Sequence, residues 1–229
     1  MVIADHLKAI DAWGAAALRT TIEFYARIQQ QQVTLSAPAD TSAWRLLYHL
    51  LGQDCPTHFR LSDDASRPPG AAPSAIILPA MRVPAVEISE QIAEAIIDGD
   101  SGRLSPALRF LAGQFPELVH NSLMHPRESP TKPVACCFFD SSEDEVQLVV
   151  CDLGGRFDRE TDAKKLCAAV EAQPDGALTT AAEVAAQRGI DATLTLAAGA
   201  GRLYWRAGNW TTAVAAAVPG FTAALAVQL

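Results

Sequence analysis

Residues 117–155 read ELVHNSLMHPRESPTKPVACCFFDSSEDEVQLVVCDLGG, and this stretch decides the fold. It begins as a helix that ends before Pro126. Two apolar runs follow, at 134–139 and 146–151, and the charged turn DSSEDE separates them. Short apolar runs around a polar turn predict an antiparallel pair of strands. The second strand leads directly into Asp152 and a glycine pair, so the sequence predicts a helix, a hairpin and a strand-end turn.

The regions on both sides extend this pattern. Upstream, we expect helices over residues 87–97 and 104–125, with Pro106 in the first turn of the second helix and Pro116 kinking or splitting it. Downstream, alanine-rich segments predict helices over 160–172 and 177–188, and apolar runs predict strands at 192–196, 202–205 and 221–227. Helices and antiparallel strands grouped in this way predict an α+β fold, a two-layer α/β sandwich with its helices on one sheet face.

The N-terminal region reads differently. Residues 1–32 have apolar spacing typical of a helix, and 33–36, 57–61 and 75–78 are short strand candidates. A further helix is predicted over 43–52, and residues 62–74 form a loop rich in Pro, Gly and Asp. We therefore predict two domains. Residues 1–84 form a helical and small α/β unit, and residues 85–229 form the sandwich.

Composition limits the classes of function. The 229 residues are 49% apolar and 19% charged, which suits a globular chain with a substantial core. The net charge of −8 argues against a nucleic-acid binder. No apolar run is long enough to span a membrane, and the N-terminus lacks the apolar core of a signal peptide, so we expect a cytoplasmic protein with no membrane partner. The five cysteines show no CxxC spacing and read as buried thiols.

Polar residues with chemical potential occur in three places. Glu117, Asn121 and His125 are spaced by four and so share one helix face, where an amide oxygen could contribute to a hydrated magnesium ion. Asp152 and Gly154 follow a strand, where a carboxylate can accept a hydrogen bond from a ligand amino group and a glycine permits close approach. Thr222 lies in the last strand.

This combination resembles the GHKL superfamily of histidine-kinase-like ATP-binding domains. ELVHNSLMH is similar to the N-box, E-x-x-x-N-x-x-x-H, and is closest to the branch of anti-sigma serine kinases, while DLGG is similar to the start of the D-x-G-x-G box. The resemblance covers about residues 87–229. It implies a Bergerat-type sandwich that binds ATP and Mg²⁺ and acts on a regulatory protein partner.

The resemblance also implies a role for each matching residue. Asn121 would coordinate the magnesium ion, and Glu117 would orient or deprotonate the attacking water or hydroxyl group. Asp152 would bind the adenine amino group, and Gly154 would leave room for the base. His125 would complete the N-box, and Thr222 would lie near the adenine.

The sequence departs from the family pattern at the phosphate end. The second glycine of the D-x-G-x-G box falls on Arg156, and the lid motif G-x-G-L reads Asp175-Gly176-Ala177-Leu178. Phe221 also interrupts the Gly-Thr pair of the last strand. These departures keep open an alternative, a degenerate scaffold that binds a partner protein without nucleotide turnover. They also leave open whether the chain is a protein serine/threonine kinase, an ATPase or neither.

Simpler interpretations stand beside each motif. The N-box residues could be a solvated polar stripe, and DLGG could be only a turn. No histidine in residues 1–84 has the context of a kinase phosphoacceptor, so an orthodox histidine kinase is rejected. The strand–helix–strand order of residues 33–61 resembles STAS-type regulatory domains. The apolar stretch 208–227 suits either a homodimer interface or burial within the domain.

Overall fold

The computed structural model describes two β-sheets with helices between and beside them. The described residues are 2–3, 10, 12–36, 44, 48, 58–61, 76–79, 106–107, 109–111, 113–114, 117–118, 135–141, 145–153, 161–173 and 176–228. Within these residues the chain is mixed α and β, as the sequence predicts.

The N-terminal sheet is parallel and has three short strands. They are β1 (Val2–Ile3), β2 (Val33–Leu35) and β3 (Phe59–Leu61), and they lie in the order β1-β2-β3. Between β1 and β2 the chain forms α1 (Ala12–Glu23), which continues into a π-helical turn, Phe24–Ile28. The prediction of helix throughout 1–32 is wrong at residues 2–3, because a two-residue strand is too short to show a period and depends on pairing with β2.

The second sheet is antiparallel and has five strands in the order β4-β5-β6-β8-β7. They are β4 (Ile76–Pro79), β5 (Ala135–Ser141), β6 (Glu145–Asp152), β7 (Ala192–Arg206) and β8 (Asn209–Gln228). The predicted β5–β6 hairpin is confirmed, with Phe138 opposite Val149. β4 precedes the predicted domain boundary at residue 84 but pairs with β5, so this sheet takes one strand from the N-terminal segment.

β7 and β8 form one long hairpin rather than three separate strands. Their turn is Ala207-Gly208, and both residues have positive φ, 49° and 84°. Positive φ at both central residues is the geometry of a type I′ turn, which suits the twist of a hairpin. Residues 209–220 were not predicted as strand, because alanine and a Pro-Gly pair have little strand propensity and only pairing with β7 holds them extended.

Helices cover both faces of the antiparallel sheet. On one face lie α2 (Ala163–Glu171), α3 (Ala177–Arg188) and the helical residues 106–107, 109–111, 113–114 and 117–118, which bury Leu148, Leu194 and Leu225. On the other face α1 packs against Val149, Cys151 and Ala224. The sandwich predicted for 85–229 therefore has its own helices on one face, but its other face is covered by α1 of the N-terminal segment rather than left in solvent.

Candidate functional site

The end of β6 is the centre of the candidate site. Asp152 is the last residue of β6, and its register partner on β8 is Phe221, which in turn pairs with Ala198 of β7. Past this row, β6 leaves the sheet while β7 and β8 continue. Gly154 lies outside the described residues. β6 therefore ends at the row of paired residues that precedes a change in the register between β7 and β8.

A bulge interrupts the β7–β8 hairpin immediately beyond that row. The pairing shifts between Ala198 and Gly199 and again between Gly199 and Gly201. Gly199 and Gly220 adopt positive φ, 53° and 74°, which only glycine adopts without strain. Bulges re-aim strands and are frequent beside functional sites. Beyond the bulge the hairpin bends, because Arg206 at the end of β7 lies 3.8 Å from the carboxylate of Asp191, which precedes its start.

The start of α2 packs directly on the bulge. The carbonyl oxygen of Thr161 accepts hydrogen bonds from the N–H groups of Ala200 and Gly201, over 3.0 and 3.2 Å. Asp162 caps α2, because its side chain accepts a hydrogen bond from the N–H of Lys165 over 2.8 Å. Thr161 therefore lies at the same end of the sheet as Asp152.

Arg202 stabilises the bulge from inside. This side chain is buried, and its Nη1 donates to the carbonyl oxygens of Gly199 and Gly201 over 3.1 and 2.8 Å. Burial lowers the pKa of the guanidinium, and the charge interaction with Tyr204 acts in the opposite direction. Sequence reasoning missed Arg202. An arginine after two glycines in an apolar strand was the available signal.

Gly176 begins α3 and leaves its N-terminus open. Its backbone is extended (φ −71°, ψ 152°), and as a glycine it has no side chain of its own to cap the helix. A β-carbon at this position would lie 3.0 Å from the carbonyl oxygen of Gln173, so space is tight there. Unpaired N–H groups and the helix dipole make such an end suitable for an anion. The sequence analysis assigned Gly176 no role, because it falls on the variable position of the lid motif.

The topology directs the N-terminus of α3 toward the Asp152 end of the sheet. β7 runs parallel to β6, since both are antiparallel to β8. α3 leads back to Ala192, which lies level with Val146 near the start of β6. A connecting helix that packs on a sheet and returns to the start of a parallel strand runs opposite to the strands. Its first turn therefore points to the end where β6 finishes.

Glu117 lies on the same side of the sheet as α2 and α3. The neighbouring Leu118 is buried in the core that includes Phe110, Leu111 and Leu166, and Glu117 itself is exposed. Asn121 and His125, which would share its helix face, lie outside the described residues, as do Arg156 and Asp175.

Thr222 lies on the opposite side of the sheet. It pairs with Cys151, whose thiol donates to the carbonyl oxygen of Ala16 in α1 over 3.7 Å. Paired residues share a face, and Cys151 belongs to the core that α1 covers. The structure therefore does not bring Thr222 and Glu117 together. Thr222 is 1% exposed, and its hydroxyl group has no hydrogen-bond partner among the residues that the structure describes.

Within the described part of the chain, no group of three or more His, Cys, Asp or Glu side chains is placed to hold a metal ion. No helix among those residues has the length and apolarity to cross a membrane. No family model matches the chain, and no curated protein is found to be similar to it. Functional assignment therefore depends on the residues and on their placement.

Proposed function

We propose that this chain is a regulatory ATP-binding protein, similar to the anti-sigma serine kinases, that binds Mg-ATP and acts on a protein partner in the cytoplasm. One observation carries the proposal. The helical segment with Glu117 and α3 pack on the same face of the antiparallel sheet. The N-terminus of α3 and Asp152, at the end of β6, lie toward the same end of that sheet. A base-binding carboxylate and a phosphate-binding helix end need this kind of proximity.

The roles divide between the two ends of the nucleotide. In the proposal Asp152 accepts a hydrogen bond from the adenine amino group, and Gly154 leaves room for the base. Asn121 holds the magnesium ion, with His125 beside it on the helix. When bound, the ion neutralises charge on the phosphate oxygens. Glu117, which is exposed and therefore accessible, orients or deprotonates the acceptor hydroxyl group.

A helix terminus could replace the lid glycines in holding the phosphates. Gly176, at the variable position of the lid motif, is the N-cap of α3. The first N–H groups of α3 have no acceptor within the helix, and glycine has no side chain of its own to accept from them. We infer that the phosphate end rests on this helix terminus.

Thr222 is left out of the proposed site. The resemblance implies that it lies near the adenine, but its side chain faces α1, whereas Leu118 beside Glu117 is buried on the other face. A nucleotide on the α2–α3 side cannot reach across the sheet to this hydroxyl group. Thr222 therefore provides a control position on the far face.

The alternative function is a partner-binding scaffold that uses no nucleotide. Two observations favour it. Arg156 and Asp175 replace family glycines, and a carboxylate beside the phosphate end repels a triphosphate. Thr222 also faces away from the side of the sheet on which Leu118, next to Glu117, is buried. In this alternative the same end of the sheet is a protein-binding surface.

Thermal unfolding with Mg-ATP separates the two functions. Ligand at ~100 times its dissociation constant adds ~2.7 kcal/mol of stability, so the wild type should melt several degrees higher in millimolar Mg-ATP. Asp152→Asn and Asn121→Ala should each abolish that increase. Asp191→Asn is the matched control, because this exposed carboxylate lies at the start of β7, at the other end of the sheet.

The outcomes are distinct. A wild type that shows no increase at several millimolar Mg-ATP refutes nucleotide binding and leaves the scaffold function. An increase that survives Asp152→Asn and Asn121→Ala places the nucleotide elsewhere. An increase lost in Thr222→Val as well as in Asp152→Asn would contradict the separation of the two sheet faces. Transfer of radiolabelled phosphate from ATP to a candidate partner then tests kinase activity.

A further inference from the structure

The outer half of β8 is an unusual sheet edge. β6 pairs with β8 only from Phe221 onward, so residues 209–218 have β7 on one side and no strand partner on the other among the described residues. Thr211, Thr212 and Ala213 are exposed, and Val214 is 78% exposed. The apolar stretch thus divides in two. Its second half is buried in the core, and its first half lies in solvent.

The hairpin geometry identifies which backbone groups are free at this edge. In a hairpin with a two-residue turn, the pair beside the turn, Arg206 and Asn209, exchanges both hydrogen bonds, and the pairs then alternate. Trp210, Thr212 and Val214 consequently direct their N–H and C=O groups away from β7. They form a row that another extended strand can use.

Side-chain burial shows that this row is also uncovered on its face. Leu203 pairs with Thr212, so both side chains share one face of the hairpin. Leu203 is buried beneath α2 and the core, whereas Thr212 is exposed. α2 and the core therefore cover Leu203 on β7 but leave Thr212 on β8 uncovered. A strand added beside β8 would extend the sheet next to this uncovered part of the hairpin.

Charge identifies the occupant. Residues 207–229 contain none of the 18 basic and 26 acidic side chains, although the chain carries a net charge of −8. Two copies of an acidic chain repel each other over most surfaces, but not along this edge. Proteins usually protect an exposed edge with charges or proline, and residues 209–218 have neither. A charged partner peptide would find no complementary group here, whereas an identical neutral strand fits.

We propose that two copies of this chain associate through antiparallel pairing of their β8 edges, about a two-fold axis near Thr212, the centre of the three outward residues. The two antiparallel sheets then continue into one another across the dimer. An identical strand related by a two-fold axis meets the same residues in reverse order, so each free N–H faces a free C=O. The interface is small, and we expect a dissociation constant in the micromolar range.

Sedimentation equilibrium between about 5 and 500 µM tests this proposal. The wild type should form a dimer and no larger species. Val214→Lys places like charges on both sides of the axis and should raise the dissociation constant about tenfold or more. Thr212→Pro removes an outward N–H without removing a β7–β8 hydrogen bond and should weaken the dimer similarly. Tyr204→Lys adds the same charge to an exposed position on β7 and should leave the dimer intact.

Far-UV circular dichroism and thermal unfolding show whether each variant is folded. If one of the two β8 variants does not fold, the other still tests the proposal. A wild type that remains monomeric at 500 µM overturns the proposal. So does a dimer that persists in both Val214→Lys and Thr212→Pro, because association then uses another surface. Open-ended polymers overturn it as well, since they indicate pairing of β8 with a different edge.

Discussion

Gly201 offers the most direct test of how the candidate site is assembled. Its place beside the first turn of α2 leaves no room for a side chain. A β-carbon there would lie 2.6 Å from the carbonyl carbon of Asp162 and 2.7 Å from the nitrogen of Ala163. Ordinary contact begins near 3.4 Å, so Gly201→Ala must separate two backbone segments by about 0.8 Å. Backbone cannot rotate away as a flexible side chain can.

The energetic cost follows from that displacement. Overpacking of this kind costs ~1–3 kcal/mol. The hydrogen bond from Gly201 N–H to Thr161 O, already 3.2 Å long, would be stretched further and adds ~1 kcal/mol. We therefore expect Gly201→Ala to lower the free energy of unfolding by ~2–4 kcal/mol. It should also weaken any effect of Mg-ATP, because the α2 start lies at the Asp152 end of the sheet.

Urea denaturation followed by circular dichroism measures the change, with Gly113→Ala as the matched control. Gly113 is helical, and a β-carbon there meets nothing within 4 Å. Alanine at that position should raise the unfolding free energy by ~0.5–1 kcal/mol. A loss below ~0.5 kcal/mol for Gly201→Ala, within the range of an ordinary surface substitution, would refute the close packing of α2 on the bulge.

Two further predictions concern buried or partly buried charged and thiol groups. Glu23 is fully buried in α1 and accepts hydrogen bonds from Arg19, over 2.6 Å, and from Arg27. Glu23→Ala should therefore lower the free energy of unfolding, measured by urea denaturation, by ~3–5 kcal/mol. A loss under ~1 kcal/mol would contradict its burial beside two guanidinium groups. Desolvation, together with a hydrogen bond to Glu171 and its charge, raises the pKa of the Cys167 thiol. Glu171→Gln should lower that pKa and so speed alkylation of Cys167 by iodoacetamide at pH 8, measured by peptide mass spectrometry; an unchanged rate would show that the carboxylate has no influence.

Local pattern was sufficient where an element is stabilised by its own period or by its neighbour in sequence. The β5–β6 hairpin was predicted from two apolar runs around a charged turn, and α2 and α3 from their alanine-rich segments. The end of β6 at Asp152 was likewise readable from the glycines that follow. These features depend on contacts within about twenty residues.

Other features depend on residues that are distant in the chain. The extended conformation of 209–220 contradicts its alanine-rich composition and follows from pairing with β7. β4 joins β5 across more than fifty residues, so no local signal assigns it to the second sheet. α1 covers the second face of that sheet, whereas the prediction placed helices on one face alone.

The candidate site divides in the same way. The spacing of Glu117, Asn121 and His125 and the position of Asp152 at a strand end followed from the sequence alone. Both depend only on residues that are close together in the chain. Only the tertiary structure decided that Thr222 faces α1, because a strand residue's side depends on the register with β6, and register is set by long-range pairing. The sequence determined the local spacing of the candidate residues. The packing of the sheet determined which of them share a side.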